Sequence, residues 1–592
     1  MDERQVQAVL ATLLREVGRL EPGPSSRKVP LCGAAKEAAR RWLAGRSDLA
    51  GLADSVAARI EEGAAEAYAR FGLEFEPEEL PSGQVPADLL EELGRIPEGP
   101  VEEVIAALDQ VLARHFARLG PSPAPFGFHD LARVGAAVED ALVRSDQPEE
   151  PLLFIRGELV GREEYLFGAN ENWRTPPDLA GLVGRGCRVA SLAGDLATQL
   201  LKASGSLAPS LLTTGGGGFL ALVPNQAALV EALSKARARI EKDLLRQYEG
   251  ELNPCIGFCA APLAMLREGG SLLGKIEREF GLRSRTPFLD ALLEPEPFGP
   301  FGSGMQDDEQ VRSMHEADRE LSQRAGFARV DMSAPMTLAY LRVRPAEPDL
   351  PAEVALLDAV AGDRRVDELI RTGAAELADD GSVTILTGSG PLVVAVGPLK
   401  QIIVFIDRLN ERLNSLSLSR PRVLDGGVAV RSASQNGPGG AGDLGRLVRQ
   451  ARGLLREIAA VGPGCCRLFG AEVRTADLSG LQLLGDRLAE LAAVEPSGVL
   501  ALLETSIRIG SDGDAIPLSE VSRLRARVHQ LAARLGVNAR FLDRESAGDA
   551  GPLAGLAVLI RNFDRLFDSG AARVPLAYAV ALSKDHSREQ SP

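Results

Sequence analysis

Leu211-Leu212-Thr213-Thr214-Gly215-Gly216-Gly217-Gly218-Phe219-Leu220-Ala221-Leu222-Val223 consists of two apolar, strand-like runs joined by four consecutive glycines. Such runs around a glycine turn predict a buried β-hairpin, because glycine accepts the left-handed backbone angles that tight hairpin turns demand. The pattern returns as Thr384-Ile385-Leu386-Thr387, then Gly388-Ser389-Gly390-Pro391, then Leu392-Val393-Val394-Ala395-Val396. After each hairpin comes a proline, Pro224 or Pro398, and then an apolar stripe at steps of three and four. The stripe is Leu229, Leu233, Ala236, Ile240 and Leu244 in one copy, and Ile402, Phe405, Ile406, Leu409 and Leu413 in the other. Both predict helices. Each leads to another short strand, around Cys255 to Ala261 and around Val423 to Val430. The offset from Gly215 to Gly388 is 173 residues, far beyond a solenoid period, so the chain holds a duplicated domain and not a repeat array. Strand, hairpin, helix, strand is the core of a ferredoxin-like α+β unit.

Working outward, 592 residues correspond to about three or four domains. A hydrophobic content of 45% supplies globular cores. The net charge of −16 and pI near 5.1 argue against a general nucleic-acid coat, which needs a basic surface, but leave room for local basic patches and basic protein partners. Met1-Asp2-Glu3-Arg4 has no signal-peptide character and no apolar run is long enough to span a membrane, so a cytoplasmic, non-membrane protein is expected.

The six cysteines form no framework. Cys32 and Cys187 are isolated, Cys465-Cys466 are vicinal, and Cys255 and Cys259 lie on one predicted strand with no second pair to complete four ligands. Reduced, mostly buried thiols are expected. The five histidines, His115, His129, His315, His529 and His586, have no ligand-like spacing. His129-Asp130 follows a Pro/Phe/Gly-rich loop, which favours a turn or helix cap over a metal ligand. No metal site and no cofactor are expected.

Five segments follow. Residues 1–148 are helical and rich in Ala, Leu, Arg and Glu. Residues 149–300 hold the first hairpin unit, bounded by the Pro/Gly-rich run Glu294 to Gly302; 301–325 link it to the second unit, 326–440, which closes in the flexible stretch Ser434 to Gly442. Residues 441–592 read as helical again. There, Leu518, Val521, Leu524, Val528, Leu531 and Leu535 form an apolar stripe. Its opposite side carries Arg523, Arg527 and Arg534, either a solvated face or an RNA or partner contact.

Residues Ser210 to Asn225 resemble the first Palm domain of the large signature subunit of type III CRISPR effector complexes, especially the Csm type. Phe154-Ile155-Arg156-Gly157-Glu158-Leu159-Val160-Gly161 resembles that Palm's opening strand. The second hairpin falls where the family carries Gly-Gly-Asp-Asp, Leu424-Asp425-Gly426-Gly427-Val428-Ala429 falls where the next strand follows, and the closing helices to Tyr578 are similar to the family's last domain. The implied architecture is α+β: two ferredoxin-like Palm domains flanked by an N-terminal helical, HD-like domain and a C-terminal helical domain.

Three departures bear on activity. Active members bind two metals through the Asp-Asp of the second hairpin and an acid on the adjacent strand, to make cyclic oligoadenylates. Here those positions are Gly390 and Pro391, with Asp331 as the one matching acid, and one carboxylate does not readily hold two Mg ions. Active relatives often begin with a helix carrying Leu-Leu-His-Asp-Ile-Gly-Lys. This chain has Leu13-Leu14-Arg15-Glu16-Val17-Gly18-Arg19, and arginine is a fixed cation that opposes metal binding. The cysteine-rich zinc module between the Palms is missing. The resemblance therefore implies a non-catalytic scaffold subunit that caps the 5′ handle of a crRNA, contacts the flank of the target RNA and binds other type III effector subunits. Two alternatives stay open: a divergent nucleotidyltransferase using Glu158 and Asp331, and an ATP-sensing module in which the Gly215 to Gly218 turn accepts phosphates through backbone N–H groups.

Overall fold

The computed structural model describes residues 3–17, 89–96, 99–116, 127–167, 179–215, 217–248, 250–285, 288, 317, 320, 336–346, 356–377, 383–389, 391–416, 418, 421–430, 441–458, 464–469 and 471–494, with positions 497, 499, 526–527, 530–531, 534 and 575–577. Among the described residues four helices come first: α1 (Glu3–Val17), α2 (Leu89–Arg95), α3 (Val101–Phe116) and α4 (Phe128–Arg144). They differ in their attachment, since Leu131, Val134, Val138 and Ala141 of α4 belong to the core of the sheet that follows. Thr12 on α1 reaches α4 at Gly135, where a Cβ would lie 3.0 Å from its methyl group.

The first unit runs β1 (Leu152–Val160), α5 (Arg162–Phe167), α6 (Leu179–Ser204), β2 (Leu211–Gly215), β3 (Gly218–Pro224), α7 (Ala227–Tyr248), β4 (Asn253–Ala261) and α8 (Gly269–Ser284). Its antiparallel sheet has the order β2-β3-β1-β4. Side chains alternate across a strand. Leu153, Ile155 and Leu159 accordingly face α6 and α7, while Leu152 and Phe154 face α4 and α8.

The second unit repeats this order: β5 (Thr337–Pro345), α9 (Leu356–Glu368), which continues through a π-turn at Leu369–Gly373 into Ala374–Leu377, β6 (Thr384–Ser389), β7 (Leu392–Gly397), α10 (Leu399–Ser415), β8 (Arg422–Val430) and α11 (Ala441–Ile458). The core order β6-β7-β5-β8 matches the first sheet. Both hairpins carry an irregularity at the same place, between Leu211 and Thr213 and between Ile385 and Thr387. Leu159 N donates to Gly217 O, and Val343 N donates to Pro391 O, each at 2.7 Å. These pairings set the hairpin offset at 174, Gly218 to Leu392, one more than the glycine pattern suggests, because Ser389 and not Gly388 closes the second turn.

Each unit's long crossover helix also covers the other unit's sheet. Leu182 and Val183 of α6 pack with Leu338, Val394 and Val396 of the second sheet. Leu356, Leu357 and Val360 of α9 pack with Phe154, Leu220 and Leu222 of the first. The two units therefore share two apolar cores, one on a face of each sheet.

Past residue 440 the structure departs from an all-helical reading. β9 (Cys465–Leu468) joins β8 in parallel and pairs with β10 (Ala471–Arg474), extending the sheet to six strands before α12 (Leu478–Val494). Strands of four residues are too short for alternation to reveal. Leu531 and Leu576 are buried in this second core. Apart from Ala317 and Glu320, the linker lies outside the described residues, as do Asp331 and Arg523.

Candidate functional site

The two turns lie at corresponding ends of the two sheets. In the first, Gly215 pairs with Gly218, and Gly217 has φ +77°, which glycine adopts freely. Glu158 on β1 sits opposite Gly218 on one side and Cys255 on the other. Its carboxylate accepts a hydrogen bond from Arg162 Nη2 at 2.6 Å and lies 4.0 Å from Arg156. Arg156 in turn meets Glu277 of α8 at 2.5 Å and stacks over Phe280. Burial, then the negative charge of Glu158, pushes the Cys255 thiol up to about 12, so it stays protonated.

Two side chains close over this turn. A Cβ on Gly217 would lie 2.6 Å from Cδ of Arg162, and one on Gly215 would lie 2.3 Å from the carboxyl carbon of Asp367. Asp367 comes from α9 of the second unit. A glycine turn that could present N–H groups to an anion therefore has a carboxylate against it already. Gly216 lies outside the described residues.

The second turn keeps the backbone and changes the chemistry. Arg342 on β5 occupies the position of Glu158, opposite Leu392 on β7, and Asp425 on β8 occupies that of Cys255. Asp425 is buried, and its carboxylate accepts from Gly464 N at 2.7 Å, from Cys465 N at 3.2 Å and from Arg344. Those donors take three of the roughly four acceptor sites of a carboxylate. Arg342 lies 3.7 Å from Glu163 of α5, whose other oxygen meets Arg452 of α11 at 2.5 Å. Glu163 thus ties the first unit to two arginines of the second. Burial, reinforced by Glu163, holds the Tyr340 phenol far above its usual range.

Gly388 and Ser389 end β6, Pro391 follows, and Gly390 lies outside the described residues. Asp331 lies outside the described residues; in the described strand β5, Thr337–Pro345, the residue at the turn is the cation Arg342. Arg15 and Glu16 sit on α1, as the helical reading of Leu13 to Val17 expects. Among the described residues no group of three His, Cys, Asp or Glu side chains is arranged to hold a metal.

His129 and Asp130 lie in the first turn of α4. Asp130 Oδ2 accepts from Gly127 N at 2.8 Å, a capping contact. The same carboxylate accepts from Arg364 of α9 at 2.8 Å, and Arg364 also donates to His129 Nδ1 at 2.9 Å. Because arginine only donates, Nε2–H of His129 donates to Asp109, 3.0 Å away. Burial acts to raise the Asp109 pKa, but Arg133, the His129 hydrogen bond and Arg364 outweigh it and hold that carboxyl below its ordinary range.

Arg527 and Arg534 are exposed helical residues, and each has an interaction within the chain. Cys187, Cys255, Cys259, Cys465 and Cys466 are free thiols, in keeping with the expected reduced state. No described helix is long and apolar enough to cross a membrane. Sequence reasoning missed Arg342, Glu163, Asp367 and Arg364. Laying β1 on β5 by its hairpin partner would have found Arg342; nothing in the sequence marks the other three.

No family model matches the chain, and no curated protein matches it. Among solved structures it is similar to a chain of the Csm1-Csm4 cassette. In complex with cA4 the match has a TM-score of 0.66 and 13% identity over 98% of this chain and 99% of that one. The apo cassette gives 0.66 and 14% over 98% and 100%. The Csm1-Csm4 subcomplex of the type III-A CRISPR-Csm interference complex gives 0.63 and 13% over 98% and 99%. The fold is Csm1-like.

Proposed function

We propose that this chain is the large subunit of a type III CRISPR ribonucleoprotein that keeps the scaffold and has lost the cyclase and nuclease chemistry. The observation that carries the subunit reading is likeness of fold over 98% of the chain to the Csm1-Csm4 cassette. In that setting the subunit caps the 5′ handle of the crRNA, contacts the target RNA flank and docks on other effector subunits.

The cassette to which the chain is similar has been solved with AMPPNP and with cA4, so loss of nucleotide chemistry must rest on this chain's own residues. Two-metal phosphoryl transfer needs converging anionic oxygens. At the second turn, Gly390 and Pro391 offer no side-chain oxygen, Arg342 puts a fixed cation on the adjacent strand, and the carboxylate of Asp425 is already engaged by two backbone N–H groups and Arg344. At the first turn the Asp367 carboxylate lies against Gly215, where a phosphate would be repelled. Arg15 in α1 opposes a metal in the N-terminal region by the same charge argument. Core packing and docking faces survive such changes, since sites are grafted on folds and can be lost from them.

Purifying the protein with the products of neighbouring genes and sequencing the RNA that accompanies it tests the subunit reading; guides sharing a constant 5′ handle are expected, and RNA-free protein argues against it. The same complex, given ATP, Mg and matching target RNA, is expected to yield no cyclic oligoadenylate. Robust Mg-dependent ATP conversion would overturn the non-catalytic half.

A further inference from the structure

α8 and α11 are counterparts. Each follows the fourth strand of its unit and crosses that sheet over a glycine, Gly257 beneath Phe280 and Gly427 beneath Ala451 and Leu455. Their outer faces have diverged. On α8 the exposed charges are of both signs, Glu277, Arg278 and Glu279, and Lys275 meets Glu150 at 3.2 Å while Glu277 meets Arg156. On α11, Leu444, Leu447, Val448, Ala451, Leu455 and Ile458 are buried, and four arginines lie elsewhere on the helix. Arg452 is taken by Glu163, and the acid Glu457 pairs with Arg467 at 2.7 Å. Arg446, Arg449 and Arg456 remain, exposed and without an ion pair among the described residues.

At about 100° per residue these three fall on one arc of the helix, and at about 1.5 Å per residue they extend over roughly 15 Å. Gly453 lies between them, with Gln450 and Glu457 bordering the arc, and a Cβ on Gly453 would meet nothing within 4 Å, so among the described residues the strip is open. The arc holds no apolar side chain. Protein interfaces are anchored by buried apolar or aromatic groups at their centre, and this strip has none. A row of guanidinium forks matches the oxygens of successive phosphates. An acidic chain of net charge −16 that keeps three uncompensated arginines in line is complementary to a linear polyanion.

We propose that the outer face of α11, through Arg446, Arg449 and Arg456, is a phosphodiester-binding strip that seats a strand of RNA. This rests on the ribonucleoprotein reading above and gives it a surface. Contacts of this kind go to the backbone, so binding is indifferent to sequence and steep in salt.

The test is fluorescence anisotropy of the full-length protein with a labelled single-stranded RNA, across a salt series. It compares wild type with Arg446→Gln/Arg449→Gln/Arg456→Gln, and with Arg278→Gln on α8 as control. The triple variant is expected to weaken binding about tenfold or more and to flatten the slope of log K against log salt by about 2, at roughly 0.7 per lost contact. The control is expected to bind as wild type does. RNA binding by wild type with an unchanged triple variant of the same thermal midpoint sinks the strip and leaves the ribonucleoprotein reading standing. Absence of RNA binding by wild type overturns both. If the triple variant loses polyglutamate and not RNA, the strip serves an acidic protein and the proposal fails.

Discussion

The first unit presents Glu158 at its turn, with a protonated thiol, Cys255, on the neighbouring strand; the second presents Arg342 there, with the carboxyl side chain of Asp425 beside it. Around these reversed pairs the backbone is the same, down to the irregularity in the hairpin and the bond from the central strand to the turn carbonyl. Strand pairing and buried alternation fix that backbone, because a register slip of one residue would turn every apolar side chain outward. Side chains at the end of a strand carry no such obligation. The two units therefore share their geometry while the central-strand residue at the turn changes sign, Glu158 in one and Arg342 in the other, and among the described residues no three His, Cys, Asp or Glu side chains are arranged to hold a metal.

The steepest way to break this equivalence is at the two helix crossings. A Cβ on Gly427 would lie 1.9 Å from the carbonyl oxygen of Ala451, against helix backbone, while one on Gly257 would lie 3.2 Å from Cα of Phe280. Gly427→Ala is expected to cost about 4 kcal/mol or more and Gly257→Ala about 1 kcal/mol, read as the order of midpoints in urea unfolding. Equal losses would show that the two helices press on their glycines equally closely.

A smaller effect separates how the units hold the N-terminal helices. α4 is tied to the first unit by Arg144, which donates to Ser204 O at 2.8 Å and Gly205 O at 3.0 Å, and to the second by Arg364. Arg364→Met leaves a buried carboxylate and the imidazole acceptor without their cation. A loss of about 3 kcal/mol is expected in urea unfolding. A variant as stable as wild type would mean that α9 is joined to α4 by apolar contact alone.

The mildest test is a pH profile. Burial raises the Asp140 carboxyl to about 6 from its ordinary 3.8, against the opposing pull of Arg144. A folded-state pKa above the unfolded one means that ionisation opposes folding. The contribution to stability is complete below about 3.8 and is lost as pH rises through about 6. Asp140→Asn is expected to remove this slope, so its thermal midpoint gains on wild type between pH 4 and pH 7. Parallel profiles would assign the slope to another group.

Much of the fold was legible. The glycine turns, the stripes after Pro224 and Pro398 and the strands near Cys255 and Val423 mark both units, and the structure places strands and helices there. The resemblance to a type III large subunit agrees with the Csm1-like fold. The candidate site was legible only in what it lacks: Gly390 and Pro391 show missing carboxylates without showing what stands nearby. Arg342 at the turn is identified by the hydrogen-bond register of β5 with β7, which sequence spacing alone does not reveal. The strands β9 and β10 were too brief to alternate visibly.

By itself, then, the sequence determined the duplication, the order of elements within each unit and the apolar faces, since these depend on local periodicity and turn chemistry. Tertiary structure alone decided that α6 and α9 each reach across to the other unit's sheet, that Asp367 lies on Gly215, that Glu163 joins Arg342 and Arg452, and that Arg364 meets His129. The physical reason is range. Periodicity specifies which face of an element is buried, whereas charge pairs between residues far apart in the chain depend on the closed geometry that buries them.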